Sequence, residues 1–221
     1  MCMNVNDNYF AIKDIARKGI VKYLEEVIST LPEYENPQIL DIGCGAGVPS
    51  LWMAHRFQGR ITAIDIDKPA LEYLQQKIDS QSAKSSVTLR NISFFDFDAL
   101  PESFDIILAE GFLNVVGFEN GFKRIIRLLK PGGCFVIHDE YKNHEWKIEF
   151  ITKYKCRVIN ELFLDEGIWR REYYSLLEGE IKKVQNPHLR SLFVKDMEEI
   201  ELCKSQPELF RSVYYAVLKD C

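Results

Sequence analysis

A short apolar run, Gln38-Ile39-Leu40, leads into Asp41-Ile42-Gly43-Cys44-Gly45-Ala46-Gly47, and a helical pattern follows from Val48 through Ala54. This segment constrains the fold most. It reads as a strand, a glycine turn and a helix start, the geometry in which backbone N–H groups and a helix N-terminus face a ligand. The glycines stand at 43, 45 and 47, a G-x-G-x-G spacing. A dinucleotide fingerprint needs G-x-G-x-x-G, and Val48 occupies its last position. The difference is physical. A pyrophosphate must approach the helix N-terminus closely, whereas a smaller, cationic ligand needs an acidic strand end and open backbone carbonyls. Asp41 supplies the acid. A tight turn with no ligand is the plain alternative.

Downstream segments repeat the βα pattern. Ile61 to Asp67 reads as a buried strand ending in acid, and Lys68-Pro69 opens a helix with Leu71, Leu74 and Ile78 on its apolar face. Val87 to Arg90 is a third strand, leading through Asn91 and Ile92 to Phe94-Phe95-Asp96-Phe97. Ser103 to Gly111 is a fourth, and Glu119 to Leu129 is a core-facing helix stopped by Pro131-Gly132-Gly133. Cys134 to Asp139 is a fifth strand.

In order and spacing these segments resemble the class I S-adenosylmethionine (SAM)-dependent methyltransferases. The D-x-G-x-G-x-G turn, the acid ending the second strand, the S-F-D-I-I strand and the R-L-L-K-P-G-G turn all match, over about a hundred residues. The resemblance implies a Rossmann-like α/β fold: a doubly wound, seven-stranded mixed sheet with one antiparallel strand and a helical cap. The late run Ser212 to Leu218 fits the antiparallel strand, inserted beside the fifth. It implies SAM as cofactor and S-adenosylhomocysteine as product. Asp41, Gly43, Cys44 and Gly45 would form the cofactor turn. Asp65 would accept hydrogen bonds from the ribose hydroxyls, and Ile66 would pack on adenine. Asp96 would read the adenine amino group, with the Phe97 N–H near a ring nitrogen; Asp98 is the alternative if the assignment slips. The plain reading of Asp65 is a cap for the next helix, a role that suits Asp67 better.

The rest of the chain bounds the function. At 221 residues it can bury one substantial core. No apolar run is long enough to cross a bilayer, and no signal peptide is apparent at the N-terminus. The six cysteines (2, 44, 134, 156, 203 and 221) show no C-x-x-C spacing and do not cluster with the histidines, which argues against a zinc site or disulfide scaffold. Free thiols suit a reducing cytoplasm. The net charge of −5 lies entirely in residues 1–140, with 14 basic against 19 acidic residues, while residues 141–221 hold 14 of each. No basic face is legible, so no nucleic-acid partner is expected. Neither a membrane partner nor a metal is expected; the oligomeric state is open.

Residues 1–36 form the expected N-terminal lid and 37–221 the methyltransferase domain. The lid helix spans about 9–31, with Ile12, Ile15, Ala16, Ile20, Leu24, Val27, Ile28 and Leu31 as its stripe, bent or split at Gly19. It either covers the cofactor site or simply docks on the sheet. Asn143 to Tyr154 reads as helix and Cys156 to Phe163 as strand. Cap helices occupy about 169–204, broken at Asn186-Pro187. Tyr9, Phe10, Trp169 and Tyr173 are expected to line the acceptor pocket.

Methyl transfer from a sulfonium needs alignment and water exclusion more than a protein nucleophile. Glu110, His138 and Asp139 end strands on the ligand edge and are the catalytic candidates, Glu110 also for cofactor contact. Capping or solvation by Glu110, and a structural histidine, are the plain alternatives. The chain lacks an N/D-P-P-Y/F motif after the fourth strand, a Cys pair for covalent attack on a pyrimidine ring, and a clear acidic metal-ligand set. A small-molecule acceptor is therefore expected. The alternatives are a non-catalytic SAM- or nucleoside-binding protein, an RNA or protein methyltransferase, and a nicotinamide-dependent oxidoreductase on a related fold.

Overall fold

The computed structural model describes residues 4–80 and 87–220. Seven strands form one sheet: β1 (Gln38–Ile42), β2 (Arg60–Asp65), β3 (Val87–Asn91), β4 (Phe104–Glu110), β5 (Leu129–Glu140), β6 (Cys156–Leu164) and β7 (Ser212–Lys219). Their order is β3-β2-β1-β4-β5-β7-β6, with β7 antiparallel to both neighbours and the other pairs parallel. The mixed sheet and its late antiparallel strand thus stand as the sequence led us to expect.

Side-chain alternation sorts the helices onto two faces. In β4, Ile106 and Leu108 face one way and Ile107 and Ala109 the other, all fully buried. One face packs Leu24, Val27 and Ile28 of α1 (Val5–Ile28) and Met53 of α2 (Val48–Arg56). Beside them, Leu71, Leu74 and Ile78 of α3 (Lys68–Ser80) pack on Ala63. The other face packs Phe122, Ile125 and Ile126 of α5 (Phe118–Leu128) and Phe150 and Ile151 of α6 (His144–Thr152). A four-residue helix not foreseen from sequence, α4 (Leu113–Val116), precedes α5.

A separate cap core lies beyond the strand ends. Its helices are α7 (Glu166–Trp169), a π-helical turn at Arg170–Tyr174, α8 (Ser175–Lys183), α9 (Pro187–Leu192) and α10 (Val194–Ser205), followed by a 3₁₀ turn at Pro207–Phe210. Tyr174, Leu177, Ile181, Phe193, Ile200 and Cys203 bury one another here together with Ala16 of α1. Helix α1 therefore serves two cores, with its later turns on the sheet and its middle on the cap.

Several boundaries differ from the sequence reading. Helix α1 begins at Val5, where Asn4 accepts the Asp7 N–H at 2.8 Å and the Asp7 carboxylate turns back to the Asn4 N–H. It runs through Gly19 without a break. That glycine exists for close approach, since a Cβ there would lie 2.3 Å from the Glu172 carbonyl oxygen. Ile15, assigned to the apolar stripe, is 47% exposed. The Pro131-Gly132-Gly133 segment falls inside β5, at an irregularity where the pairing jumps from Phe104–Leu129 to Ile106–Cys134. Asn186 does break the cap helices, as N-cap of α9, accepting from the His188 and Leu189 N–H groups. Cys44, Cys134, Cys156 and Cys203 are free and buried; Cys2 and Cys221 lie outside the described residues.

Candidate active site

Because β4 returns beside β1 after β2 and β3 have run outward, the sheet order reverses between β1 and β4. Connections leave such a point in opposite directions and a crevice opens at the carboxyl ends of the strands. A cavity of 1170 Å³ opens here, walled by α1 and the cap.

The glycine turn forms its floor. Gly43, Gly45 and Gly47 take φ of +71°, +51° and +76°, a region unfavourable for side chains. Gly47 also lets Leu74 approach, since a Cβ would lie 2.4 Å from its methyl carbons. At Gly45 a Cβ would meet nothing within 4 Å, so its backbone lies open. The turn is tied to β2: the Gly45 N–H donates to Asp65 Oδ2 at 2.7 Å and the Asp67 N–H to Oδ1 at 2.8 Å. Asp67 caps α3 through the Ala70 N–H at 3.2 Å. Asp41 is buried and accepts the Ser50 hydroxyl at 2.5 Å. Burial, with Glu110 nearby, pushes its carboxyl up to about 7 against the opposing hydrogen bond from Ser50.

Glu110 and His138 are register partners at the ends of β4 and β5. The Glu110 carboxylate is gripped on both oxygens, by the Arg17 guanidinium from α1 and by the Tyr214 hydroxyl from β7. Burial opposes its ionisation, but Arg17, His138 and Tyr214 together hold it below the usual carboxylate range. His138 is stacked on Tyr214, ring centroids 3.9 Å apart, and on Trp169 at 5.6 Å. Its Nε2 lies 3.0 Å from Ser212 Oγ, which also accepts the Trp169 indole N–H at 2.9 Å. Its Nδ1 lies 4.0 Å from Glu110. Burial lowers the imidazole to about 4 despite the neighbouring carboxylate, so it is neutral at pH 7. Asp139 is buried, with Oδ2 2.7 Å from the Lys147 ammonium.

The cavity gathers most of the residues singled out from sequence: Asp41, Gly43, Cys44 and Gly45 on the turn; Glu110, His138 and Asp139 at the strand ends; Tyr9, Phe10, Trp169 and Tyr173 on the covering side. Asp65, Ile66, Asp96 and Phe97 are not among its lining residues. Asp65 touches the cavity floor through Gly45, and Ile66 is 75% exposed. Asp96 is exposed and its N–H donates to the Ser93 carbonyl.

Sequence reasoning missed Lys13 and Arg17, which line the same cavity. Lys13 pairs with Asp196 at 2.8 Å, and the Tyr9 hydroxyl joins the same carboxylate at 3.0 Å. Positions 9, 13 and 17 repeat at four-residue spacing, so one polar face carries all three into the pocket. The signal in the sequence is this i, i+4, i+8 polar stripe, which runs beside the apolar one. Among the described residues, no group of three or more His, Cys, Asp or Glu could hold a metal ion, and no helix is long and apolar enough to cross a membrane.

Comparison with known proteins agrees with this geometry. A methyltransferase-domain family model matches residues 39–133. A ubiquinone/menaquinone biosynthesis C-methyltransferase of Geotalea daltonii is 35% identical over 105 residues, 46% of this chain and 45% of the relative. One from Rickettsia massiliae is 29% identical over 203 residues, 87% of this chain and 80% of the relative. The first curated relatives matched are longer, with the aligned part spanning 50%, 26% and 50% of their lengths. Among solved structures, the cyclopropane synthase MmaA2 of Mycobacterium tuberculosis shares the fold, with a TM-score of 0.73 and 14% identity over 90% of this chain and 84% of that one. In its glycine turn, its sheet order and these likenesses, the chain is similar to the class I SAM-dependent methyltransferases, and the methyltransferase-domain match lies on residues 39–133.

Proposed function

We propose that the protein transfers the methyl group of SAM to a small-molecule acceptor, and that acceptor and donor share the 1170 Å³ cavity. One observation carries the reading: an open glycine turn with an acidic strand end and an aromatic cap face each other across a single space. The residues present fit the donor. The bare Gly45 backbone leaves room for close approach, and Asp65 stands beside it at the end of β2. Asp65 would hold the ribose, Ile66 would pack on the adenine and Asp96 would read its amino group; the Phe97 N–H, expected near a ring nitrogen, donates instead to the Ser93 carbonyl at 2.9 Å. Arg17 and Glu110 form an ion pair whose charges match an amino acid's carboxylate and ammonium, and they would meet that end of the donor. Asp41 supports the turn through Ser50. The donor supplies an electrophilic methyl group on sulfur.

This chain's part is alignment and exclusion of water. Glu110 and Asp139 are engaged by cations, and burial makes His138 a weak base. These strand-end groups therefore position and polarise rather than strip a proton. Helix α1, as lid, and the cap at about 169–204 would close over both reactants. The names of the two C-methyltransferase relatives support a small organic acceptor.

Incubating the protein with SAM and a metabolite panel, and detecting S-adenosylhomocysteine, tests the reading. Release dependent on one acceptor supports it. Tight S-adenosylhomocysteine binding without turnover on any acceptor would favour a non-catalytic binding protein, and salt-sensitive RNA binding a nucleic-acid substrate.

A further inference from the structure

Glu172 of the π-helical turn is pinned to α1 at three points. Its carbonyl abuts Gly19, and its carboxylate meets the Lys22 ammonium at 2.5 Å and the Tyr23 hydroxyl at 2.8 Å. The next residue, Tyr173, is thereby held beside α1, its ring set edge-to-face against Trp169 at 5.5 Å and Tyr174 at 4.9 Å. The hydroxyls of Tyr9, Tyr174 and Tyr214 are taken up by Asp196, Glu199 and Glu110. The Tyr173 hydroxyl has no hydrogen-bond partner among the described residues. It is not a sealed atom either, since the one side-chain nitrogen or oxygen there that is both fully buried and unpartnered is Asp139 Oδ1. The hydroxyl therefore keeps accessible surface on a side chain that lines the main cavity.

Four charged groups face it: Lys13 and Arg17 from α1, Asp196 and Glu199 from α10. Burial holds the hydroxyl above its ordinary range against the pull of both cations, so at pH 7 it is protonated and can donate. Lys13 contacts Asp196 at 2.8 Å and the Tyr9 hydroxyl at 3.2 Å, and its third hydrogen has no acceptor among the described residues. The two ion pairs turn their cationic members outward. Lys13 is 33% exposed against 5% for Asp196, and Arg17 23% against 8% for Glu110. Lys13 and Arg17 line the cavity, whereas Asp196 does not. The wall beneath α1 thus offers a ligand hydrogen-bond donors, a phenolic O–H and an ammonium N–H, next to aromatic rings.

That offer meets a need of the chemistry. A hydroxyl, or a carbon conjugated to one, attacks a methyl group well only once the hydroxyl proton is gone. Glu110 and Asp139 are engaged by cations and His138 is a weak base, so the strand ends supply no group to take that proton. Building on the methyltransferase reading, we propose that Tyr173 and Lys13 are specificity-determining residues that hold an ionised oxygen of the acceptor, a phenolate or enolate, which enters the cavity with its proton already left in solvent. Such an oxygen brings lone pairs alone and can accept from both donors at once. A neutral hydroxyl brings a hydrogen that the Lys13 ammonium cannot accept.

The test uses the full chain saturated with S-adenosylhomocysteine and 4-nitrophenol as probe, whose absorbance reports its own ionisation. Titration with pH should show the bound probe ionising at least about one pH unit below the free probe, equivalent to about tenfold tighter binding of the phenolate than of the phenol. Tyr173→Phe should weaken phenolate binding about tenfold, the scale of one hydrogen bond to a charged group, and phenol binding far less. Its S-adenosylhomocysteine affinity should be unchanged, which certifies its fold. A residue that merely packs the cap would not alter the ratio between the two forms of one probe. No binding of 4-nitrophenol, or a bound midpoint equal to or above the free one, would overturn the proposal without need of a variant. So would a Tyr173→Phe protein that binds S-adenosylhomocysteine and keeps the full phenolate preference. Failure of the wild type to bind S-adenosylhomocysteine would instead sink the methyltransferase reading on which the proposal stands.

Discussion

Asp41 and His138 sit in one buried network and titrate with opposite consequences. His138 has a folded pKa of about 4 against 6.5 unperturbed, so between those values the unfolded chain holds the extra proton. Its contribution is complete above pH 6.5 and is lost as pH falls towards 4, on the order of 3 kcal/mol. Asp41 is raised from 3.8 to about 7, so the native state holds the extra proton. Its contribution is complete below pH 3.8 and is lost as pH rises through 7, on the order of 4 kcal/mol. Urea denaturation at several pH values separates them. Asp41→Asn should be more stable than wild type at pH 8, and His138→Gln should flatten the loss between pH 6.5 and 4. Unchanged slopes in both variants would show that neither group is buried as described. For the ligand, Asp65→Ala should weaken S-adenosylhomocysteine binding by about 1–3 kcal/mol by calorimetry. Part of that loss would come from the turn, since Asp65 also fixes the Gly45 N–H.

Two glycines in helices make contrasting forecasts. Gly19 of α1 abuts the Glu172 carbonyl in the π-helical turn, so Gly19→Ala should force α1 from that turn and cost about 1–3 kcal/mol. Gly179 of α8 has nothing within 4 Å of a Cβ, so Gly179→Ala should raise stability by about 0.5–1 kcal/mol. Thermal denaturation of the two variants should move in opposite directions. The contrast bears on what could be read in advance. Strands β1 to β5 and the glycine turn were legible because each carries its own signal: an apolar run, an acid at its end, a glycine or proline stop. Gly19 carries the sequence signal of a bend, and only the neighbouring π turn shows that it marks a contact. That turn was itself illegible, because one extra residue per turn leaves no mark on a short aromatic run. Glu110 could be placed at the ligand edge from the strand alone. Its partners Arg17 and Tyr214 lie 93 and 104 residues away and meet it only through the fold.

At the scale of the molecule, α1 links the sheet core to the cap core, and three of its ion pairs reach different elements: Arg17 to β4, Lys13 to α10 and Lys77 of α3 to Asp14. A ligand that engages Arg17 and Glu110 would therefore be felt by α1 and by the helices packed on it together. Hydrogen exchange should show slower exchange with S-adenosylhomocysteine in residues 5–17 and 166–174, with little change in α5 and α6 on the opposite face. Protection confined to the glycine turn would argue that neither covering element responds. The Trp169 stack on His138, with its indole N–H bonded to Ser212 of β7, has a consequence for measurement. It places an intrinsic fluorophore across the seam between cap and sheet, clamped at both its face and its edge. With Trp52 and Trp146 replaced by Phe, the emission of the protein would report that seam alone. Opening the cap would carry the indole into water and shift its emission to the red, so the rate of cap movement could be followed in a stopped-flow instrument without any added label.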